Sequence, residues 1–491
     1  MSDQDGTSWL WVPVPPKSLL ASNDPNRNLG KRTMWVCGDV YRAPSPELPI
    51  VSIWQSTIIP TAVSIVDANA VPMTSLNLIQ RVQPEGEIWE GEKAYDPCTL
   101  LWIGVEKEEM TPEQAEDLVA RCSEMLKAHS IEDVRVEVHA SPVLLYGGPR
   151  FLPAKPYWRD VYKYELPFQL GIGWPLASSA EYSAGGTGAV FLKLAEHPET
   201  YLLSAGHALD GGKTLDHPPD PTKPGQNVLL MGNQHFLDHL DLIHRELEEI
   251  AHKIEWKTEI LSTIGKSDPE EAKLITLELN ILNYEQREMK NLCSKLQEDW
   301  SREEDRRIGT VSYRSRIASD SVTTHLEDWT LIRLNDNIVP DGVSPNILRL
   351  GERIPFRSGF TLDPSIEDRR IMQVSNTVPM SEYEGSRTPC LMSGAANGVK
   401  IGIIHPVMAL VRNKSEHGTR DSLVIPISAS DVKEKKFSGP GDSGTIVVNE
   451  KGEAVAMVIG GVSQLRVTYA SPLEHIFVSI EDVTGLKPRL A

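Results

Sequence analysis

Apolar and polar positions divide the chain into regions of different texture. Between residues 31 and 98, short β-like runs ("TMWVCGDVY", "IVSIW", "TAVSIVDA") are broken by prolines. A clearer unit follows. "CTLLWIGVE" predicts a buried strand, and "TPEQAEDLVARCSEMLKAHS" an amphipathic helix with Thr111 as N-cap and Pro112 just inside. "VRVEVHAS" alternates as a half-exposed strand does. This β-α-β pattern predicts a small α/β domain over residues 31–165. From about residue 180 the pattern turns to strands and tight turns. "GGTGAVFLKL" and "YLLSAGHAL" are joined by "AEHPET", a hairpin signal, and "NVLLMGN" is another run. After residue 308 come "IGTVSYRSRI", "DWTLIRL", "GVKIGIIHPVMALVR", "SLVIPI", "SGTIVV" and "EAVAMVIGGV". Many short strands with Gly and Pro turns predict a sandwich or a barrel.

One stretch breaks the β texture. Phe236, Leu240, Ile243, Leu247, Ile250, Ile254, Leu261 and Ile264 follow 3-4 spacing, with Lys257 in one seam position. "GKSDPEE" stops this helix and starts a second, with Asp268 as N-cap before Pro269. Ile275, Leu282, Met289 and Leu296 then recur at sevens, with Leu292 between. Two antiparallel helices of about 30 residues would reach roughly 45 Å at 1.5 Å per residue. The segment is expected to be an inserted helical hairpin or coiled-coil arm (233–305), a site of self-association or of a partner helix through residues 236–305.

Composition narrows the function classes. The 491 residues are 40% apolar and 24% charged, ample for several packed domains, and the formal charge is −19. That balance argues against a nucleic-acid partner. The arm alone holds 18 acidic and 9 basic residues, about half of the net charge. The start "MSDQDGTSWLWVPVPPKSLLASNDPN" lacks a basic stretch followed by an apolar one, so no secretory signal is expected, and residues 1–30 are expected to be disordered. No window approaches 18 uninterrupted apolar residues, so no membrane span is expected. Cys37, Cys98, Cys122, Cys293 and Cys390 are odd in number and scattered. They fit reduced thiols in a cytoplasmic protein better than a disulfide framework or zinc site. His235 and His239 are four apart at the start of the arm but read as exposed polar positions, and no metal or other cofactor is expected.

The candidate chemistry lies in three places. His207 ends an apolar strand in "YLLSAGHAL", Asp328 precedes an alternating strand in "EDWTLIRL", and Ser443 sits in "GPGDSGT". Alone, each has an ordinary structural reading: a core histidine, a turn acid, a glycine-rich hairpin. Together, in this order, they supply what acyl transfer needs. A serine hydroxyl is a poor nucleophile until a base takes its proton. An imidazole is that base, and a buried carboxylate fixes its tautomer. The N–H groups of Gly441 and Ser443 are the expected oxyanion donors.

These stretches, with "GPGDSGTIVV" and "VAMVIGG", resemble the trypsin/chymotrypsin-like serine peptidases over roughly residues 180–232 and 306–480. "TLLWIGVE", "DVRVEVHAS" and "LGIGWPLASSAEYSAGGTGAVFL" are more closely similar to a group of fungal intracellular trypsin-like proteins. The resemblance implies a mostly β fold: a double antiparallel β-barrel of two six-stranded barrels, with the site in the cleft between them. The N-terminal α/β domain would precede it and the helical hairpin would be an insertion. The peptidase domain would then be residues 166–232 and 306–480, followed by a tail at 481–491. His207 and Asp328 are 121 residues apart. Removing the arm leaves about 51 residues, an ordinary gap for the family.

The expected activity is serine endopeptidase, on restricted intracellular protein or peptide substrates. The alternative is a catalytically weak scaffold or sensor that binds partners through its arm. A third expectation keeps the enzyme latent, with the N-terminal region across the cleft. By spacing, Phe437 lies near the base of a substrate pocket, and Ile459, Gly460 and Gly461 border it. Thr445 stands where relatives usually have a second glycine. Asp442, which in secreted relatives receives a freed N-terminus, needs another partner or none.

Overall fold

The computed structural model describes residues 18–23, 40–82, 98–106, 109–146, 162–179, 185–210, 225–264, 268–315, 325–350, 371–415, 418–430 and 436–491. The β-α-β unit forms as its pattern predicts. Strands Cys98–Val105 and Val134–Ala140 pair in parallel, and helix Pro112–Ala128 connects them. Thr111 caps that helix in a reciprocal box: its Oγ1 accepts from the Gln114 N–H, while Gln114 Oε1 accepts from the Thr111 N–H. Such a cap stabilises a helix by about 1 kcal/mol.

This unit does not end where the strand-rich part begins. Its strand Met73–Val82 pairs with Cys98–Val105 on one side and with Ala409–Ser415 on the other. One thirteen-stranded sheet therefore runs from Leu19–Ser22 through the α/β unit to Val467–Pro472. A second sheet of eight strands runs from Pro488–Leu490 through Phe191–Leu194, Thr200–Ser204, Thr330–Leu334, Arg307–Arg314 and Asn227–Leu230 to Pro175–Ser178 and Gly185–Thr187. The expectation of two closed six-stranded barrels is thus corrected. An added pairing of Gly418–Ala429 with Val467–Pro472 curls the larger sheet, but that sheet continues into the N-terminal strands and stays open. The eight-stranded sheet is open as well. Leu192, Leu203 and Leu331 of the smaller sheet share one apolar cluster with Leu391, Ile446 and Met457 of the larger, capped by Leu473 and Ile476 of helix Leu473–Thr484.

Several local expectations change. "IVSIW" and "TAVSIVDA" are not strands: Pro49–Ile53, Trp54–Ile58 and Ile59–Ala68 form one continuous helical run with a π-turn in its middle. Ile50, Trp54, Ile58, Ala62 and Val66 recur every fourth residue and are buried in one core cluster, and Trp54 Nε1 donates to the Met408 carbonyl at 2.6 Å. Packing of that face overrides the β propensity of its branched residues. By length and apolarity the same helix resembles a membrane-crossing segment, with a third of its most apolar window buried in the protein. Leu19–Ser22 lies within the stretch expected to be disordered, yet it pairs with Val134–Ala140. Residues 1–17 and 24–30, and Cys37, lie outside the described residues. The expected tail instead ends a helix and adds the edge strand Pro488–Leu490.

Helices Asn233–Ile264 and Pro269–Trp300 are inserted between Asn227–Leu230 and Arg307–Arg314, which pair with one another. Asp268 caps the second helix, its Oδ1 accepting from the Glu270 and Glu271 N–H groups. The coiled-coil expectation does not hold. Phe236, Leu240 and Ile243 pack with Met289, Leu292, Cys293 and Leu296 at the base, whereas Ile254, Leu261 and Ile264 are only half-buried. Ile250, Ile275 and Leu282 are buried as well, so the contact runs past the root, and the element is a hairpin of two packed helices. His235 and His239 are buried at its base rather than exposed, and residues 164–168 cover His239. The His239 ring meets Phe168, and its Nε2 lies 2.9 Å from the Tyr164 carbonyl.

Candidate active site

Two neighbouring strands of the smaller sheet place the acid and the base. Thr200–Ser204 and Thr330–Leu334 pair with Ser204 opposite Thr330. His207 follows the first strand by one short turn, and Asp328 precedes the second. Trp329, fully buried, fixes the approach of the Asp328 segment: its N–H donates to Ser315 Oγ at 3.3 Å and its Nε1 to Ser479 Oγ at 2.9 Å. The Asp328 carboxylate then holds His207 twice. Oδ1 accepts from the His207 backbone N–H at 3.0 Å, and Oδ2 makes a short hydrogen bond with Nδ1. Burial raises the Asp328 pKa, but the His207 charge, its side-chain and backbone hydrogen bonds and the Gly206 N–H outweigh burial and leave it below the ordinary aspartate value.

The serine comes from the larger sheet. It sits in the turn before strand Ile446–Val448, docked onto Gly185–Thr187 of the smaller one. Thr187 N–H donates to the Ser443 carbonyl at 2.7 Å, and Thr187 Oγ1 to the Gly441 carbonyl at 2.8 Å. Ser443 Oγ lies 2.8 Å from His207 Nε2 and 2.9 Å from the Ile459 carbonyl. One hydroxyl proton has two acceptors. With a neutral ring protonated at Nδ1, the proton belongs to Nε2. With an imidazolium, Nε2–H donates to Oγ and the hydroxyl turns to Ile459. The structure therefore brings together the three residues expected from the sequence, all of them buried.

Gly441 has φ +95°, a conformation that favours glycine, and this aims its N–H out of the turn. That N–H is occupied: it donates to the Tyr146 carbonyl at 2.6 Å. Tyr146 N–H in turn donates to Ile459 O at 3.2 Å, and Leu144–Leu145 pairs antiparallel with Gly461 and Gly460. Three of the four residues expected to border a substrate, Ile459, Gly460 and Gly461, are thus met by one segment of the N-terminal region. Phe437 is fully buried, in the same apolar cluster as Tyr146.

Asp442, next to the serine, has a partner after all. Oδ1 accepts from the Ala396 and Asn397 N–H groups at 3.2 Å each, and Oδ2 from Gly439 N–H at 3.0 Å and the Asn397 side chain. Burial nevertheless pushes its pKa up to about 6, against the Asn397 side chain and the three backbone donors. Asn397, in the turn between Thr388–Gly394 and Gly398–Ile404, and Tyr146 are the two contributors that the sequence reading missed. Neither carries a spacing signal, since each acts through a contact distant in sequence.

The chain matches no protein-family model, and no curated protein is similar to it. The resemblance to trypsin-like peptidases, and to fungal ones in particular, is therefore set aside: no relative supports it, and neither sheet closes as a barrel. What stands is the local geometry of a buried Asp–His–Ser file beside a glycine N–H.

Proposed function

We propose that the protein is a serine hydrolase acting on peptide bonds, closed in the state described here. The observation that carries this reading is the file Asp328–His207–Ser443, with both imidazole nitrogens engaged and Nε2 at 2.8 Å from the hydroxyl. In the reaction, Ser443 Oγ attacks a carbonyl carbon and His207 Nε2 takes the proton. Asp328 holds the Nδ1–H and stabilises the imidazolium. Gly441 N–H, with Ser443 N–H, receives the oxyanion, a contribution of the order of 3 kcal/mol per donor. His207 returns the proton to the leaving amine, and water then hydrolyses the Ser443 ester. A fluorophosphonate reagent is the test. One label per chain on Ser443, absent from Ser443→Ala, is expected. Failure to label any folded form of the protein, with its cleft closed or opened, overturns the reading.

A second reading is favoured by the arm. Leu274, Leu277, Ile281 and Tyr284 are exposed at 3-4-3 spacing along Pro269–Trp300. That stripe suits a binding platform in which the buried serine is catalytically weak. Light scattering on the full chain should then give a mass above that of one chain, and Leu277→Lys with Ile281→Lys should return it to one. A single-chain mass for the unsubstituted protein removes self-association through the arm.

A further inference from the structure

The cleft beside Ser443 is occupied by the chain itself, and the manner of occupation has chemical content. Tyr146 presents its carbonyl oxygen to Gly441 N–H at 2.6 Å, the donor assigned to the oxyanion. Its own N–H goes to Ile459 O, the same carbonyl that lies 2.9 Å from Ser443 Oγ. On the hydrolase reading, a residue whose N–H and carbonyl are bonded in this way on either side of the nucleophile occupies the place of the residue that would be acylated. The two residues before it continue as a strand along Gly460 and Gly461. The tyrosine ring is buried, and a Cβ added to Gly461 would come within 2.5 Å of its hydroxyl oxygen. Leu144 and Leu145, in contrast, are 45% and 44% exposed, so the side chain that the protein encloses is the aromatic one.

We propose that Leu144–Tyr146 is a built-in occupant of the acyl side of the cleft, and that the substrates it excludes are extended peptides with an aromatic residue at the scissile bond. This rests on the hydrolase reading and adds to it a substrate class and a resting state. Main-chain pairing with Gly460 and Gly461 holds a peptide of any sequence. The enclosed pocket beside Gly461, in the cluster of Phe437, Met408 and Ile427, rewards a flat apolar side chain. Asp442 is near enough to act on the Tyr146 hydroxyl, but its carboxylate already accepts from the Ala396, Asn397 and Gly439 N–H groups and the Asn397 side chain, so a charged side chain there would be buried without a dedicated counterion.

Two substitutions open the cleft from opposite sides. Tyr146→Ala removes the anchor. Gly460→Ala adds a methyl group whose nearest neighbours are the Leu144 carbonyl oxygen at 2.3 Å and Leu145 Cα at 3.1 Å, so it expels the strand without touching the tyrosine. Each should raise the rate of fluorophosphonate labelling of Ser443 in the full chain at least tenfold, whereas Tyr146→Phe should label at the unsubstituted rate. In the Tyr146→Ala protein, a Leu-Leu-Tyr chloromethyl ketone should inactivate at least tenfold faster than the Leu-Leu-Lys or Leu-Leu-Glu reagent. Equal labelling of the unsubstituted protein and both opened variants overturns the occupant and leaves the hydrolase standing. Preference for the lysine or glutamate reagent overturns the substrate class. Absence of labelling in all of them overturns the hydrolase reading itself.

Discussion

Two buried histidine–carboxylate pairs stand out among the described residues, and they differ in what the imidazole faces. In the first, His207 bridges Asp328 and the Ser443 hydroxyl. In the second, in the N-terminal sheet, His139 Nε2 lies 2.9 Å from Glu137 Oε2 while Arg81 Nη1 donates to Glu137 Oε1 at 2.8 Å. The His139 ring is stacked on Trp102 with centroids 3.4 Å apart. Burial and pairing are alike in the two, so neither of them marks a catalytic histidine. The third partner does. A serine hydroxyl next to a glycine N–H gives the first pair something to activate, whereas a guanidinium gives the second a charge to neutralise. On the proposed hydrolase reading the first pair moves a proton, whereas the second holds strands Met73–Val82 and Val134–Ala140 in place across Cys98–Val105.

Removing the acid from each pair should separate these roles most sharply. Asp328→Asn should slow labelling of Ser443 by about a thousandfold or more, because the imidazole loses its fixed tautomer. Glu137→Gln should leave the labelling rate of folded protein unchanged and lower stability by about 2 kcal/mol or more, since it removes the buried charge that Arg81 Nη1 and His139 Nε2 share. Labelling rates and urea midpoints on both proteins check this. A labelling loss in Glu137→Gln as large as that in Asp328→Asn would erase the distinction between the pairs.

The first pair was legible in the sequence and the second was not, for a physical reason. His207, Asp328 and Ser443 each sit where a strand meets a turn, so each carries a local pattern, and their order could be read along the chain. Glu137 and His139 are simply alternate residues of the strand "VRVEVHA", and nothing in that alternation says that a distant Arg81 faces them. The helical hairpin was legible from its 3-4 spacing and the Asp268 cap. The helical run through residues 49–68 was misread because its branched residues favour strands, although the four-residue row from Ile50 to Val66 was there to find. The N-terminal region was expected across the cleft, but which residues lie there was not legible, because three extended residues have no period. The open sheets stayed hidden because strand patterns do not say which edges meet.

A third buried acid sharpens the comparison further, with a smaller effect. Asp442 is as buried as Asp328 but faces only neutral donors and no imidazolium, and its pKa moves the other way, up to about 6. The folded chain therefore binds a proton at Asp442 that the unfolded chain, with a value near 3.8, has already released between those two pH values. Its contribution to stability is greatest at the acid end, falls as pH rises from about 4 through about 6, and is flat above; two units correspond to about 3 kcal/mol. Asp328, held low, works in the opposite sense: its contribution is present above the ordinary aspartate value and is lost as pH falls through the folded one. Asn397 is the handle, since its side chain is the strongest of the donors favouring the ionised Asp442. Asn397→Ala should push Asp442 higher still and extend the falling window upward. The substitution should therefore cost more at pH 7.5 than at pH 4.5, by about 1.5 kcal/mol, the worth of a hydrogen bond to a charged group. Urea midpoints of the two proteins at both pH values measure the difference. An equal cost at the two pH values would mean that the cradle of N–H groups alone keeps Asp442 ionised throughout, and that the turn holding Ser443 carries a fixed negative charge; a larger cost at pH 4.5 would mean that Asn397 favours the protonated acid instead.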